Sequence, residues 1–262
     1  MHQTIETSYK KRYPFKICTT SYIYPDNILS NVTRLAPYLD EIELILFESS
    51  PGSLPDHREI KGLHAIGDEF DITFNVHLPL DICLGSRDRA ERIRAAETIE
   101  MVMDITAALT PSTYTLHFDY DRTCHDKKHL HLWLDFIRAS MEKLVSAGID
   151  CERISIETLM YPFEWVDKII RDFDLQVCLD LGHLILQKQD IEKVFDKYFH
   201  RVPILHIHGV EKDKDHLSLD KLSQKESGRV INILKRFSGV VSIEVFSFKN
   251  LIDSLQFITR NL

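Results

Sequence analysis

The chain has 262 residues, of which 44% are apolar and 27% charged, with a formal net charge of −8. That length suits one (β/α)8 barrel of roughly 250 residues, and the composition is that of a globular protein with a sizeable core. The negative balance argues against nucleic acid as partner, because phosphate neutralisation carries much of such binding. No apolar run approaches the ~20 residues that span a bilayer, and the polar stretch 1–16 carries no secretory h-region. The five cysteines are scattered and lack C-x-x-C spacing, which reads as reduced thiols. The expectation is a cytoplasmic enzyme acting on a small molecule, with no membrane partner.

Taken in chain order, apolar strand-like runs fall near 15–21, 41–48, 72–78, 113–118, 153–158, 175–181, 202–208 and 240–246. Helical patterns alternate with them near 26–38, 56–68, 88–109, 127–147, 163–172, 189–199, 226–237 and 248–260. In the longest, Ile93, Ala96, Ile99, Val102 and Met103 recur at three- and four-residue spacing, which is one helical face. Pro25 and Pro162 stand where helices are expected to start. Val-, Ile- and Leu-rich strands alternating with helices imply parallel strands covered on both sides. Eight such units predict an α/β fold, a closed (β/α)8 TIM barrel, in one domain over residues 1–262; an open doubly wound sheet is the alternative. No glycine-rich dinucleotide or triphosphate loop is present.

Six of these apolar runs end in ionisable groups: His77, His117, Glu157, Asp180, His206 and Glu244. A charge inside a buried run is costly unless it is paired or binds a metal. In a parallel barrel all strand C-termini open onto one face, where the active site lies. Neighbouring strands are about 4.8 Å apart, so these side chains can converge on shared cations. Imidazole and carboxylate donors without thiolate suit zinc, manganese or ferrous iron. His183 follows Asp180 by three residues, and Asp213, Asp215 and His216 follow the seventh strand. His208 shares a strand face with His206, as a residue behind the ligands or facing the substrate.

The order His, His, Glu, Asp-x-x-His, His, Asp/His, Glu along successive strands resembles the xylose-isomerase-like barrels that include endonuclease IV. The resemblance spans essentially the whole chain. It implies two or three divalent ions, zinc foremost, with manganese or iron as alternatives. By that likeness His77 and His117 hold one ion, and Glu157 bridges to a second completed by Asp180, His206 and Glu244. His183 and His216, with Asp213 or Asp215, hold a third. Here Asp215 directly precedes His216, whereas the family pattern is Asp-x-His. Glu157 and Glu244 are the residues expected to carry the catalysis.

The segments around Thr19–Pro25, Glu43–Ser49, His77–Asp81, Leu205–Val210 and Glu244–Ser247 resemble the cobamide-remodelling phosphodiesterases of this superfamily. That likeness implies hydrolysis of the phosphoribosyl linkage in the cobamide nucleotide loop, releasing cobinamide phosphate. Substrate-facing candidates are Tyr22, Tyr24, Glu48, Asp81, Arg122 and His208, with Ser21, Phe47, Tyr120 and Tyr161 on the same loops. Rival readings are a sugar isomerase or epimerase with one ion, acting on a sugar phosphate, an abasic-site endonuclease, and a non-catalytic binder. His57, His64, His125, His129, His131 and His200 read as solvated surface.

Overall fold

The computed structural model describes residues 3–121, 123 and 126–262. Its strands are β1 (Lys16–Thr20), β2 (Glu41–Ile45), β3 (Thr73–His77), β4 (Tyr114–Leu116), β5 (Ile154–Glu157), β6 (Gln176–Asp180), β7 (Ile204–Ile207), β8 (Gly209–Glu211), β9 (Lys214–Leu217) and β10 (Val240–Ile243). Strands β1 to β7 and β10 close into a barrel in chain order, with β10 pairing β1. Every pair in the barrel is parallel. The closed barrel expected from the alternation is therefore the observed fold.

The helices are α1 (Ile28–Leu35), α2 (His57–Phe70), α3 (Arg89–Thr106), α4 (Lys127–Ser146), α5 (Asp167–Asp172), α6 (Leu181–Leu186), α7 (Ile191–Tyr198), α8 (Gln224–Leu234) and α9 (Phe248–Asn261). Short polar side chains start most of them by accepting orphan backbone N–H groups. Asn27 caps α1 and Asp88 caps α3, while Asp56 and Glu59 form a capping box on α2. Ser247 caps α9, whose Leu251, Leu255 and Ile258 are buried. Among the described residues no helix is long and apolar enough to cross a membrane.

Three elements differ from the expectation, and the first two shape the mouth of the barrel. The segment 181–186 coils into α6 directly at the end of β6, because Asp180 serves as its N-cap and accepts the His183 N–H at 2.7 Å. After β7 the chain forms the antiparallel hairpin β8–β9 rather than an open loop. The helix expected over 163–172 divides into a 3-10 turn, Phe163–Val166, and α5.

Inside the barrel, below the site, Cys18, Cys178, Ile204 and Val240 form a small apolar plug. At the opposite end Glu41 is fully buried and accepts from Asn75 Nδ2 at 3.0 Å and Ser112 Oγ at 2.5 Å. Thr73 Oγ1 and Lys16 Nζ, the latter at 3.2 Å, complete its shell.

Candidate metal centre

Glu157, 1% exposed, lies at the end of β5 amid four imidazoles. Its Oε2 is 3.2 Å from His77 Nε2, 3.1 Å from His117 Nε2 and 3.5 Å from His206 Nδ1. Its Oε1 is 3.3 Å from His183 Nδ1. His77 Nδ1 donates to the Leu78 carbonyl at 2.9 Å, which turns Nε2 toward the carboxylate. His206 is likewise oriented, with Nε2 2.9 Å from Glu43 Oε1 and Nδ1 3.1 Å from Glu244 Oε2. Glu43 is itself buried and held by Ser242 Oγ at 2.6 Å.

The ligand-type atoms gather into groups, the first two of which share Glu157. His77, His117 and Glu157 form one; Glu157, Asp180, His206 and Glu244 form a second; His183, His208 and His216 form a third. Cys178 Sγ also lies beside Glu157 and His206. Burial pushes that thiol well up, so it stays protonated in the metal-free barrel.

The third group depends on local backbone. His208 stacks on His216 with centroids 4.4 Å apart and 12° between planes. Its Nδ1 accepts the His216 N–H at 3.0 Å, which turns Nε2 toward Asp180 Oδ1 at 3.3 Å. His216 adopts a left-handed backbone, φ 51°, a conformation uncommon outside glycine. Asn250 Nδ2 donates to its carbonyl at 3.3 Å and steadies that turn. Gly182 is obligatory for a different reason: a Cβ there would lie inside the His208 imidazole.

The charges follow from this crowding. Burial disfavours charge on His183, yet Asp180 and Glu157 outweigh it and push its pKa up to about 10. His216 is likewise opposed by burial but pushed up to about 9 by Glu244 and Asp215. For His77 and His206 burial is again outweighed: Glu157 raises His77, and Cys178, then Glu43 and Glu244, raise His206. Burial works against ionised Glu157 and Glu244, but the imidazoles hold both well below the usual carboxylate range.

Divalent cations fit these residues. Asp180 Oδ2, His206 Nδ1, His208 Nε2 and Glu244 Oε2 are buried without a hydrogen-bond partner among the described residues. An orphaned buried polar atom costs about 1–3 kcal/mol, and these lone-pair carriers, three in the group around Glu157 and one in the histidine group, suit cations. Oxygen and nitrogen donors of this mix match zinc, manganese or ferrous iron.

The structure places the remaining expected residues less uniformly. Asp215 stands outside the three groups; it approaches His216 Nδ1 at 3.1 Å and leaves Nε2 free to face Glu244 Oε2 at 3.6 Å. His208 takes the position in the third group that was expected for an aspartate. Asp213 is exposed at the hairpin turn. Tyr22 is exposed at the mouth, but Tyr24 is buried, packs on Phe248 and donates to the Gln3 carbonyl at 3.1 Å, so it braces the loop rather than facing the cavity. Asp81 accepts from the Ser49 N–H at 2.8 Å beside a separate hollow, and Glu48 accepts from Ser53 Oγ at 3.1 Å. Both therefore tie loops together. Arg122 and His125 lie outside the described residues.

Glu43 is the main residue that reading by strand ends misses. The alternation in Glu41-Ile-Glu43-Leu-Ile, with both carboxylates on one strand face, is the signal that could have found it. The cavity lined by His117, Glu157, His183, His216 and Glu244 encloses about 400 Å³. Asp119, Tyr120, Tyr161, Leu80, Phe47 and Phe246 wall it.

The sequence profile described as xylose isomerase-like TIM barrel matches residues 38–261. Among solved structures, the chain is similar to a D-tagatose 3-epimerase-like protein at 19% identity and TM-score 0.77, covering 94% of this chain and 97% of that one. Endonuclease IV from Thermus thermophilus aligns at 15% identity and TM-score 0.68, covering 94% and 99%. D-allulose 3-epimerase from a Methylomonas species aligns at 14% identity and TM-score 0.70, covering 95% and 98%. At these identities the likeness is one of fold. No curated protein sequence matches the chain significantly.

Proposed function

The chain belongs to the xylose isomerase-like TIM barrel family, and we propose that within it this protein is a metal-dependent phosphodiesterase that cuts the phosphoribosyl linkage of the cobamide nucleotide loop. One observation carries the reading. Two histidine-rich groups, His77–His117 and His183–His208–His216, flank the four-residue group around Glu157, more ligands than one cation requires. Bound divalent cations would supply an activated water and neutralise charge developing on the phosphoryl oxygens.

The residues divide the remaining work. Glu157, shared by two groups, would contribute to holding a cation in each, and Glu244 and Asp180 would balance their charge. Glu43 and Asp215 fix His206 and His216 from behind, as carboxylates commonly do for ligating imidazoles. The sequence likeness to cobamide-remodelling phosphodiesterases supplies the substrate, and the 400 Å³ cavity is of a size for its phosphoribosyl part.

A sugar epimerase is the second reading, favoured by a specific feature: Glu157, Asp180, His206 and Glu244 alone make a complete one-cation site with two facing glutamates. Elemental analysis of purified protein, paired with incubation with adenosylated cobamides and with ketohexoses, separates the two. Two or more ions and release of cobinamide phosphate are expected. One ion, intact cobamide and an epimerised ketose would overturn the phosphodiesterase and leave the epimerase.

A further inference from the structure

Among the described residues few large apolar side chains are exposed, and four of them stand together at the mouth of the cavity. Tyr22 is 45% exposed, Phe47 39%, Leu80 37% and Phe246 37%. Tyr22 meets Phe47 edge to face with centroids 5.1 Å apart, and Phe47 meets Phe246 at 6.2 Å. Phe246 in turn lies 5.2 Å from the His216 ring, so the arc runs directly into the candidate metal centre. Phe47, Leu80 and Phe246 line the same cavity as His117, Glu157 and Glu244.

Water against such an arc is costly, and a contiguous exposed apolar patch at a site marks a surface that something apolar covers. Three rings in a row, with centroids 5.1 and 6.2 Å apart, offer more width than one bicyclic base can cover. The cavity that Phe47 and Phe246 help to wall, about 400 Å³, is at the small end for a ligand site, so a macrocycle stays at its mouth. The rings are not coplanar, with 77° between Tyr22 and Phe47 and 52° between Phe47 and Phe246. We infer that the arc Tyr22–Phe47–Phe246 is a platform of ring edges and tilted faces against which the substrate's macrocycle rests, holding it at the mouth while the phosphodiester reaches inward. This rests on the function proposed above and names the specificity residues of that same site. The backbone supports a fixed platform: Phe47 follows β2 by two residues, Phe246 follows β10 by three, and the Ser21 Oγ beside Tyr22 accepts the Ile45 N–H at 3.1 Å. Rings carried on barrel strand ends lose little freedom on binding.

The test separates platform from chemistry by using probes that cannot be cleaved. Cobinamide carries the macrocycle without the nucleotide loop, and α-ribazole phosphate carries the base without the macrocycle. Affinities are measured by tryptophan fluorescence on EDTA-treated protein, with Tyr22→Ala, Phe47→Ala and Tyr22→Phe alongside. Cobinamide is expected to bind, about tenfold more weakly to each alanine variant and unchanged to Tyr22→Phe, which keeps the ring. Metal content on reloading should match the parent in all three. Failure of cobinamide to bind, indifference to both alanine variants, or ring-dependent binding of α-ribazole phosphate alone would overturn the platform. Should cobinamide bind in this way while no cobamide is cleaved, the phosphodiesterase falls and the platform stands.

Discussion

The two ends of the barrel interior each bury a glutamate, and they differ in what surrounds it. At the closed end Glu41 accepts from Asn75, Ser112, Thr73 and Lys16, so neutral donors and one ammonium satisfy both oxygens. At the open end Glu157 faces the imidazoles of His77, His117, His183 and His206. Four nearby ligand-type atoms there lack partners among the described residues. Burial of a carboxylate is common to both ends and discriminates nothing. Asn75 Oδ1 beside Glu41 is also unpaired, but it is a lone amide oxygen, whereas the unpaired carboxylate and imidazole atoms gathered around Glu157 mark that end as a site.

Substituting the two glutamates alike gives the largest expected contrast. Glu157→Gln keeps shape but removes the charge shared by two groups; loss of at least one equivalent of metal and a rate drop of about 10³-fold or more are expected. Glu41→Gln should leave metal content and turnover unchanged and cost about 1–3 kcal/mol through mismatched hydrogen bonds. Elemental analysis with urea unfolding reads both. Equal metal loss in the two variants would erase the distinction between the ends.

The metal-free protein offers a second contrast, through pH. His183 and His216 are raised from 6.5 to about 10 and about 9, so the stability they contribute is full below pH 6.5 and lost as pH rises through 9 to 10. Glu157 and Glu244 are held well below 4.5, so theirs is full above pH 4.5 and lost as pH falls toward their lowered values. The melting temperature in EDTA should therefore peak between pH 4.5 and 6.5 and decline on the alkaline side. Cation loading, which needs neutral imidazoles, should flatten that decline. A metal-free melting temperature that stays level up to pH 10 would contradict the crowding described for the open end.

Much of this organisation is visible in the sequence, for a physical reason. Parallel strands buried on both faces must be apolar, so a histidine or glutamate at the end of such a run stands out; His77, His117, Glu157, Asp180, His206 and Glu244 are found that way. The third group is less legible. Its grouping depends on the β8–β9 hairpin and on the left-handed backbone of His216, which bring that imidazole onto His208. Spacing along the chain therefore favoured Asp215 over His208. Gly182 similarly reads as ordinary until His208 is placed against its Cα. Its substitution by alanine should displace that ring and lower occupancy of the third group alone, visible as loss of about one equivalent of metal with the others retained.

The smallest effects should come from the two carboxylates behind the imidazoles, and their burial should rank them. Glu43 is fully buried, 2.9 Å from His206 Nε2, with its other oxygen held by Ser242. Glu43→Gln keeps the volume but removes the charge that fixes the tautomer of His206, and metal affinity should fall about 10–100-fold. Asp215 sits 3.1 Å from His216 Nδ1 with 41% of its side chain exposed, so water can replace it. Asp215→Asn should weaken metal binding less than Glu43→Gln, by about threefold, because an exposed charge pair contributes little. Competition titration against a chromophoric chelator measures both. An Asp215→Asn defect as large as that of Glu43→Gln would mean that Asp215 binds the cation itself, returning the third group to the Asp–His pairing that its sequence suggests.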